Sequence, residues 1–126
     1  MQFEDDSYEI IGLAMEVHNE FGPGLREKPY ENALVIALKA KGFRVDQQRP
    51  YPIHFRGTVV GECKPDLTEN NNILIDAKSI EKVTENEISQ MLNYLRISEI
   101  ETGLVINFKN SKLDWKRVVL EQKPVT

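Results

Sequence analysis

Two periodicities divide the chain. From Ser7 onward, Ile10, Ile11, Ala14, Met15 and Val17 fall at the three- and four-residue steps of a helix with one buried face. Ser7 suits its cap, and Phe21-Gly22-Pro23-Gly24 ends it. A second helix carries Ala33, Leu34, Ile36, Ala37 and Leu38 and stops at Lys41-Gly42. Pro29 falls in its first turn, where a missing N–H does no harm. The step then shortens to two. Phe43, Val45, Tyr51, Ile53 and Phe55 alternate with polar residues, broken by Pro50 and Pro52, which suit an irregular or edge strand. Arg56-Gly57 predicts a turn into a second strand from Thr58 to Cys63, with Asp66 at its end. Glu69-Asn70-Asn71-Asn72 has the composition of a hairpin turn, and the strand Ile73–Ala77 follows.

Beyond that strand, Thr84 and Glu87 have the spacing of a capping box, opening a helix with Ile88, Met91, Leu92 and Leu95 on one face. Thr102-Gly103 leads into Leu104-Val105-Ile106, an apolar run that suits a central strand buried on both sides. Leu113, Trp115, Val118, Val119 and Leu120 form a last strand or short helix, and the tail from Gln122 is expected to be loose. The order α-α-β-β-β-α-β with a final element predicts an α/β or α+β fold, its mixed sheet flanked by helices.

No repeat or linker divides the 126 residues, so one domain spanning 1–126 is expected. With 40% apolar and 29% charged residues, the composition is that of a globular protein. No apolar run approaches a membrane span, the first six residues lack the pattern of a signal peptide, and Cys63 is alone. A cytoplasmic protein without membrane contact is therefore expected. The net charge of −4 argues against a strongly basic nucleic-acid binder. Its distribution is uneven: eight acids within residues 1–32 face only Arg26 and Lys28, whereas Lys39, Lys41, Arg44, Arg49, Arg56 and Lys64 dominate 39–64.

The chemistry concentrates between residues 65 and 78, PDLTENNNILIDAK. A hairpin around Glu69–Asn72 brings Asp66 close to Asp76. Asp76 and Lys78, two apart on a strand, share one face. Adjacent carboxylates repel, so one is neutralised or both bind a cation. Oxygen ligands with waters suit a hard divalent ion such as Mg²⁺, and a nearby ammonium can orient water or offset phosphate charge. An isolated D-x-K is more often a surface ion pair.

The spacing P-D-x9-D-x-K resembles the motif of the PD-(D/E)xK nuclease superfamily. Gly24-Leu25-Arg26-Glu27-Lys28-Pro29-Tyr30 has the G-x-x-E-x-x-Y spacing of one of its prokaryotic subgroups. EVHNEFGPGL, QMLNYL and GLVINF resemble the same subgroup, and the likeness spans most of residues 8–119. It implies a restriction-endonuclease-like α-β-β-β-α-β core and Mg²⁺- or Mn²⁺-dependent phosphodiester hydrolysis, usually of DNA rather than RNA. Asp66 and Asp76 match the metal-binding acids and Lys78 the lysine near the attacking water. Glu31, preferred to Glu27, completes the metal set from the preceding helix. Gln90 and Tyr94 match a Q-x-x-x-Y element. Asp at 76 replaces the commoner Glu, and Lys64-Pro65 stands where the subgroup often has an arginine and a small residue.

His18, Tyr30 and Trp115 read as packing residues, and His54 as exposed. Two alternatives remain beside the nuclease: a non-catalytic interaction subunit that keeps the fold, and a homodimeric junction-resolving endonuclease.

Overall fold

The computed structural model describes residues 3–121; the tail expected to be loose lies outside them. Helices α1 (Ser7–Phe21) and α2 (Glu27–Ala40) precede five strands, β1 (Val45–Gln47), β2 (Tyr51–Phe55), β3 (Thr58–Cys63), β4 (Leu67–Glu69) and β5 (Ile73–Lys78). Helix α3 (Glu85–Ser98), β6 (Thr102–Asn107) and β7 (Asp114–Val119) complete the chain, so the last element is a strand. The main sheet has the order β1-β4-β5-β6-β7. Only β5 and β6 run parallel, joined through α3, and every other pairing is antiparallel. This is the mixed sheet flanked by helices that the chain's periodicities predict.

The strand region differs from its sequence reading: the alternating stretch from Phe43 to Phe55 splits into β1 and β2, and a short strand β4 that the sequence did not mark precedes the hairpin turn. Residues 51–63 do not enter the main sheet but form a separate two-stranded ribbon, β2-β3. The reason is local. Arg56 and Gly57 both adopt positive φ (49° and 80°), making a tight two-residue turn, and Pro52 removes a ladder donor. Asp66 consequently stands just ahead of the short strand β4 rather than at the end of β3. The cap of α1 also shifts: Asp6 takes the cap position, and Ser7 is the buried first helical residue, its N–H donated to Asp5 Oδ1 at 3.0 Å. The capping box of α3 is present, with Glu87 Oε1 accepting from Thr84 N at 2.6 Å.

Alternation along β5 sorts the two cores. Ile73, Ile75 and Ala77 pack with α1, α2 and Phe108, whereas Leu74 faces Met91, Leu95 and Tyr51. Tyr30 is fully buried and stacks on Phe108 at 4.5 Å between ring centroids. His18, also buried, bonds Asn110 O through Nε2 at 2.8 Å, and both residues are packing groups. Trp115 is only half-buried and meets Phe3 edge to face.

Gly103 lets α3 sit close on β6. A Cβ there would strike the buried Met91 side chain, with Cγ at 2.7 Å and Sδ closer still. The thioether can give way partly, so Gly103→Ala is expected to destabilise by about 1–2 kcal/mol. A denaturant melt checks this, and an unchanged midpoint would refute the tight contact.

Candidate active site

Three carboxylates converge at one end of the sheet, one from α2, one from the residue just ahead of β4 and one from β5. Beyond the β4–β5 pairing, whose last rung is Leu67 to Ile75, the chain continues as Asp66 against Asp76. The two acids interlock through the backbone: Asp66 N donates to Asp76 Oδ1 at 3.0 Å, and Ala77 N donates to Asp66 Oδ2 at 2.8 Å. One oxygen of each is thereby committed, leaving Asp66 Oδ1 and Asp76 Oδ2 for other partners.

Glu31 reaches the same end from α2. It is 2% exposed, whereas Glu27 at the helix start is exposed. Lys28 Nζ lies 3.3 and 3.2 Å from its two carboxylate oxygens. Gln47 Nε2 donates to Glu31 Oε2 at 2.7 Å, and Gln48 Nε2 donates to the same oxygen at 3.1 Å. The Gln48 amide also reaches Asp66 Oδ1 at 3.3 Å, so it bridges two acids.

Lys78 shares the Asp76 face of β5. Its ammonium lies 3.8 Å from Asp76 Oδ2 and donates to Gln90 Oε1 at 3.0 Å. Gln90 and Tyr94, one turn apart on α3, border a groove of about 480 Å³ between that helix and the ribbon. A cleft of about 370 Å³ is lined by Glu31, Gln48, Asp66 and Lys78, together with Arg26, Glu27 and Lys28 from the start of α2. Of the six residues singled out from the sequence, Glu31, Asp66 and Lys78 line the cleft, Gln90 and Tyr94 line the groove, and the buried Asp76 lines neither but bonds Asp66 and lies beside Lys78. The basic residues of 39–64 do not line the cleft: Arg49 binds Asp46, Lys64 binds Glu62, and Arg56 covers Phe55 at the ribbon tip.

The electrostatics follow from crowding. Burial, then the Asp76 charge, pushes the Asp66 carboxyl up to about 7, against the Ala77 N–H that favours its ionised form. Burial also raises Asp76, while the Asp66 N–H and Lys78 oppose the rise. The Tyr94 hydroxyl is pushed up to about 12 by burial and by the neighbouring Asp76. Among the described residues no three acidic, histidine or cysteine side chains stand close enough, as arranged, to hold an ion unaided. The donor set nevertheless fits a hard divalent cation: it is all oxygen, carries excess negative charge, and faces a cleft wide enough for waters that complete the shell.

Lys28, Gln47 and Gln48 were missed in the sequence. Lys28 was visible at i−3 from Glu31, a helical ion-pair spacing. The two amides carry no local signal, because their role depends on a strand end meeting a helix sixteen residues earlier.

No curated protein matches the sequence. The fold is similar to the crystal structure of SSO0001, with TM-score 0.58 and 13% identity over 90% of this chain and 67% of that one. It is also similar to an alkaline exonuclease, LHK-Exo, from Laribacter hongkongensis, with TM-score 0.57 and 11% identity over 96% of this chain and 72% of that one. At such identities the likeness concerns the fold, which is restriction-endonuclease-like. The family model of the PD-(D/E)XK nuclease superfamily matches residues 4–118. The chain belongs to the PD-(D/E)XK nuclease superfamily.

Proposed function

We propose that the chain is a single nuclease domain of the G-x-x-E-x-x-Y subgroup, a cytoplasmic Mg²⁺- or Mn²⁺-dependent enzyme hydrolysing phosphodiester bonds in DNA. The observation that carries this reading is the convergence of Glu31 on α2, Asp66 just ahead of β4 and Asp76 on β5, linked through Gln48 and backbone N–H groups, with Lys78 on the Asp76 face. The subgroup reading is supported by the G-x-x-E-x-x-Y spacing of residues 24–30, whose Tyr30 hydroxyl ties down the loop before α2 by donating to Gly22 O at 2.6 Å and accepting from Leu25 N at 3.2 Å.

Glu31, Asp66 and Asp76 are the residues that would hold the ion, which when bound lowers the pKa of water and offsets charge on the leaving oxygen. Lys78, steadied by Gln90, presents its ammonium at the cleft, where it can hold the attacking water or donate to a phosphoryl oxygen. Arg26 and Lys28, which line the cleft, supply positive charge for the backbone of the strand. Tyr94 and Gln90 border the groove into which that strand would continue.

The test is incubation with labelled linear, single-stranded and branched DNA and with RNA, in Mg²⁺ or Mn²⁺ and in EDTA. Metal-dependent cleavage of DNA is the expected result. Cleavage confined to branched DNA by a dimer would instead identify a junction-resolving enzyme. No cleavage and no Mn²⁺ binding would overturn the enzymatic reading in favour of an interaction subunit.

A further inference from the structure

Gln48 stands where two carboxylates point at each other. Its backbone is left-handed (φ 57°), an uncommon conformation for glutamine, and its N–H is fixed on Asp66 O at 2.9 Å. That kink at the end of β1 turns the side chain into the cleft, where Nε2 donates to Glu31 Oε2 at 3.1 Å and to Asp66 Oδ1 at 3.3 Å. The orientation of the amide follows from its neighbours, since a carbonyl facing two carboxylates would be repelled.

The oxygens involved are the decisive detail. Asp66 Oδ2 is held by the Ala77 N–H, so Oδ1 is the face that Asp66 can offer to a cation. Gln48 occupies that face and reaches Glu31 with the same nitrogen. An N–H donor and a cation cannot share the position. We propose that Gln48 is a latch of the ion-free centre, whose amide bridges Glu31 and Asp66 on the face the ion would use and must turn away when the ion binds. The inference rests on the reading of Glu31 and Asp66 as metal ligands.

A thermodynamic cycle gives the consequence. If the bridge exists only without the ion, deleting it destabilises the ion-free protein and leaves the ion-bound protein unchanged. The ion then binds more tightly by the same factor. Alanine and glutamine bear a similar strain at positive φ, so Gln48→Ala removes the amide without altering the backbone cost. Loss of hydrogen bonds to charged groups predicts about tenfold tighter Mn²⁺ binding.

The experiment is calorimetric Mn²⁺ titration of wild type and Gln48→Ala, with melts of both in EDTA and in saturating Mn²⁺. Gln48→Met, similar in length but without a donor, serves if the alanine variant folds poorly. A lower melting temperature in EDTA that converges with wild type in Mn²⁺, together with tighter binding, is expected. An equal loss of stability in both conditions at unchanged affinity would show a turn residue only and overturn the proposal. Weaker binding would overturn it too, marking Gln48 as a ligand or as a preorganiser of the ligands. Wild type that binds no Mn²⁺ would overturn the metal reading itself, and this inference with it.

Discussion

Asp76→Asn is expected to abolish cleavage while leaving the ion-free protein at least as stable as wild type. Asp76 is 4% exposed, and burial raises its carboxyl above the ordinary range. Asparagine keeps an oxygen for the Asp66 N–H, now made at 3.0 Å, and removes a charge that is costly to bury beside Asp66. Lys78, at 3.8 Å, loses a distant partner but keeps Gln90 at 3.0 Å. Activity falls because a ligand carboxylate is gone, and a loss of about 10³-fold or more corresponds to about 4 kcal/mol on the barrier. Time courses in Mn²⁺ and melts in EDTA read the two effects separately. Cleavage within tenfold of wild type would refute the role of Asp76. A melting temperature several degrees lower would show instead that the pair with Lys78 outweighs the burial of the charge.

That site was partly legible because its parts are local. The closeness of Asp66 and Asp76 follows from a hairpin turn of Glu and Asn residues. The shared face of Asp76 and Lys78 follows from the two-residue period of a strand. The same holds for α3, whose capping box is a three-residue pattern, and for β6, an apolar run buried on both faces. What escaped depends on contacts between distant elements. Residues 51–63 alternate like sheet strands, yet their tight turn folds them onto each other as a ribbon. Gln48 acquires its role only once a left-handed residue aims it at a helix seventeen positions earlier. Glu69 looked like a turn residue, and no short-range pattern marks it as fully buried.

Glu69→Gln is expected to stabilise the protein in a pH-dependent manner. Glu69 closes β4 with no exposed surface; its Oε2 accepts from Asn70 at 3.2 Å, and Oε1 finds no donor. Burial, then the Asp6 carboxyl against it and the charges of Asp5 and Glu9, pushes Glu69 up to about 8. In the unfolded chain Glu69 ionises near its ordinary value of about 4.5, whereas the folded protein keeps the proton until about 8. The folded state therefore binds the extra proton across this window, and stability falls as pH rises through it. Glutamine cannot ionise, and its N–H can serve Asp6 permanently. The variant should match wild type near pH 5 and gain about 2–3 kcal/mol by pH 8, a figure about half the full shift to allow for relaxation around the ionised group. Melts at pH 5, 6.5 and 8 check this, and parallel curves would refute it. Asp66 and Asp76, both raised, add a slope of the same sign to either protein, so it cancels in the difference. Saturating Mn²⁺ would remove that shared slope by holding both acids ionised. The wild-type slope that survives in Mn²⁺ should then be the one Glu69→Gln abolishes, which separates the buried acid at the far end of β4 from those of the cleft.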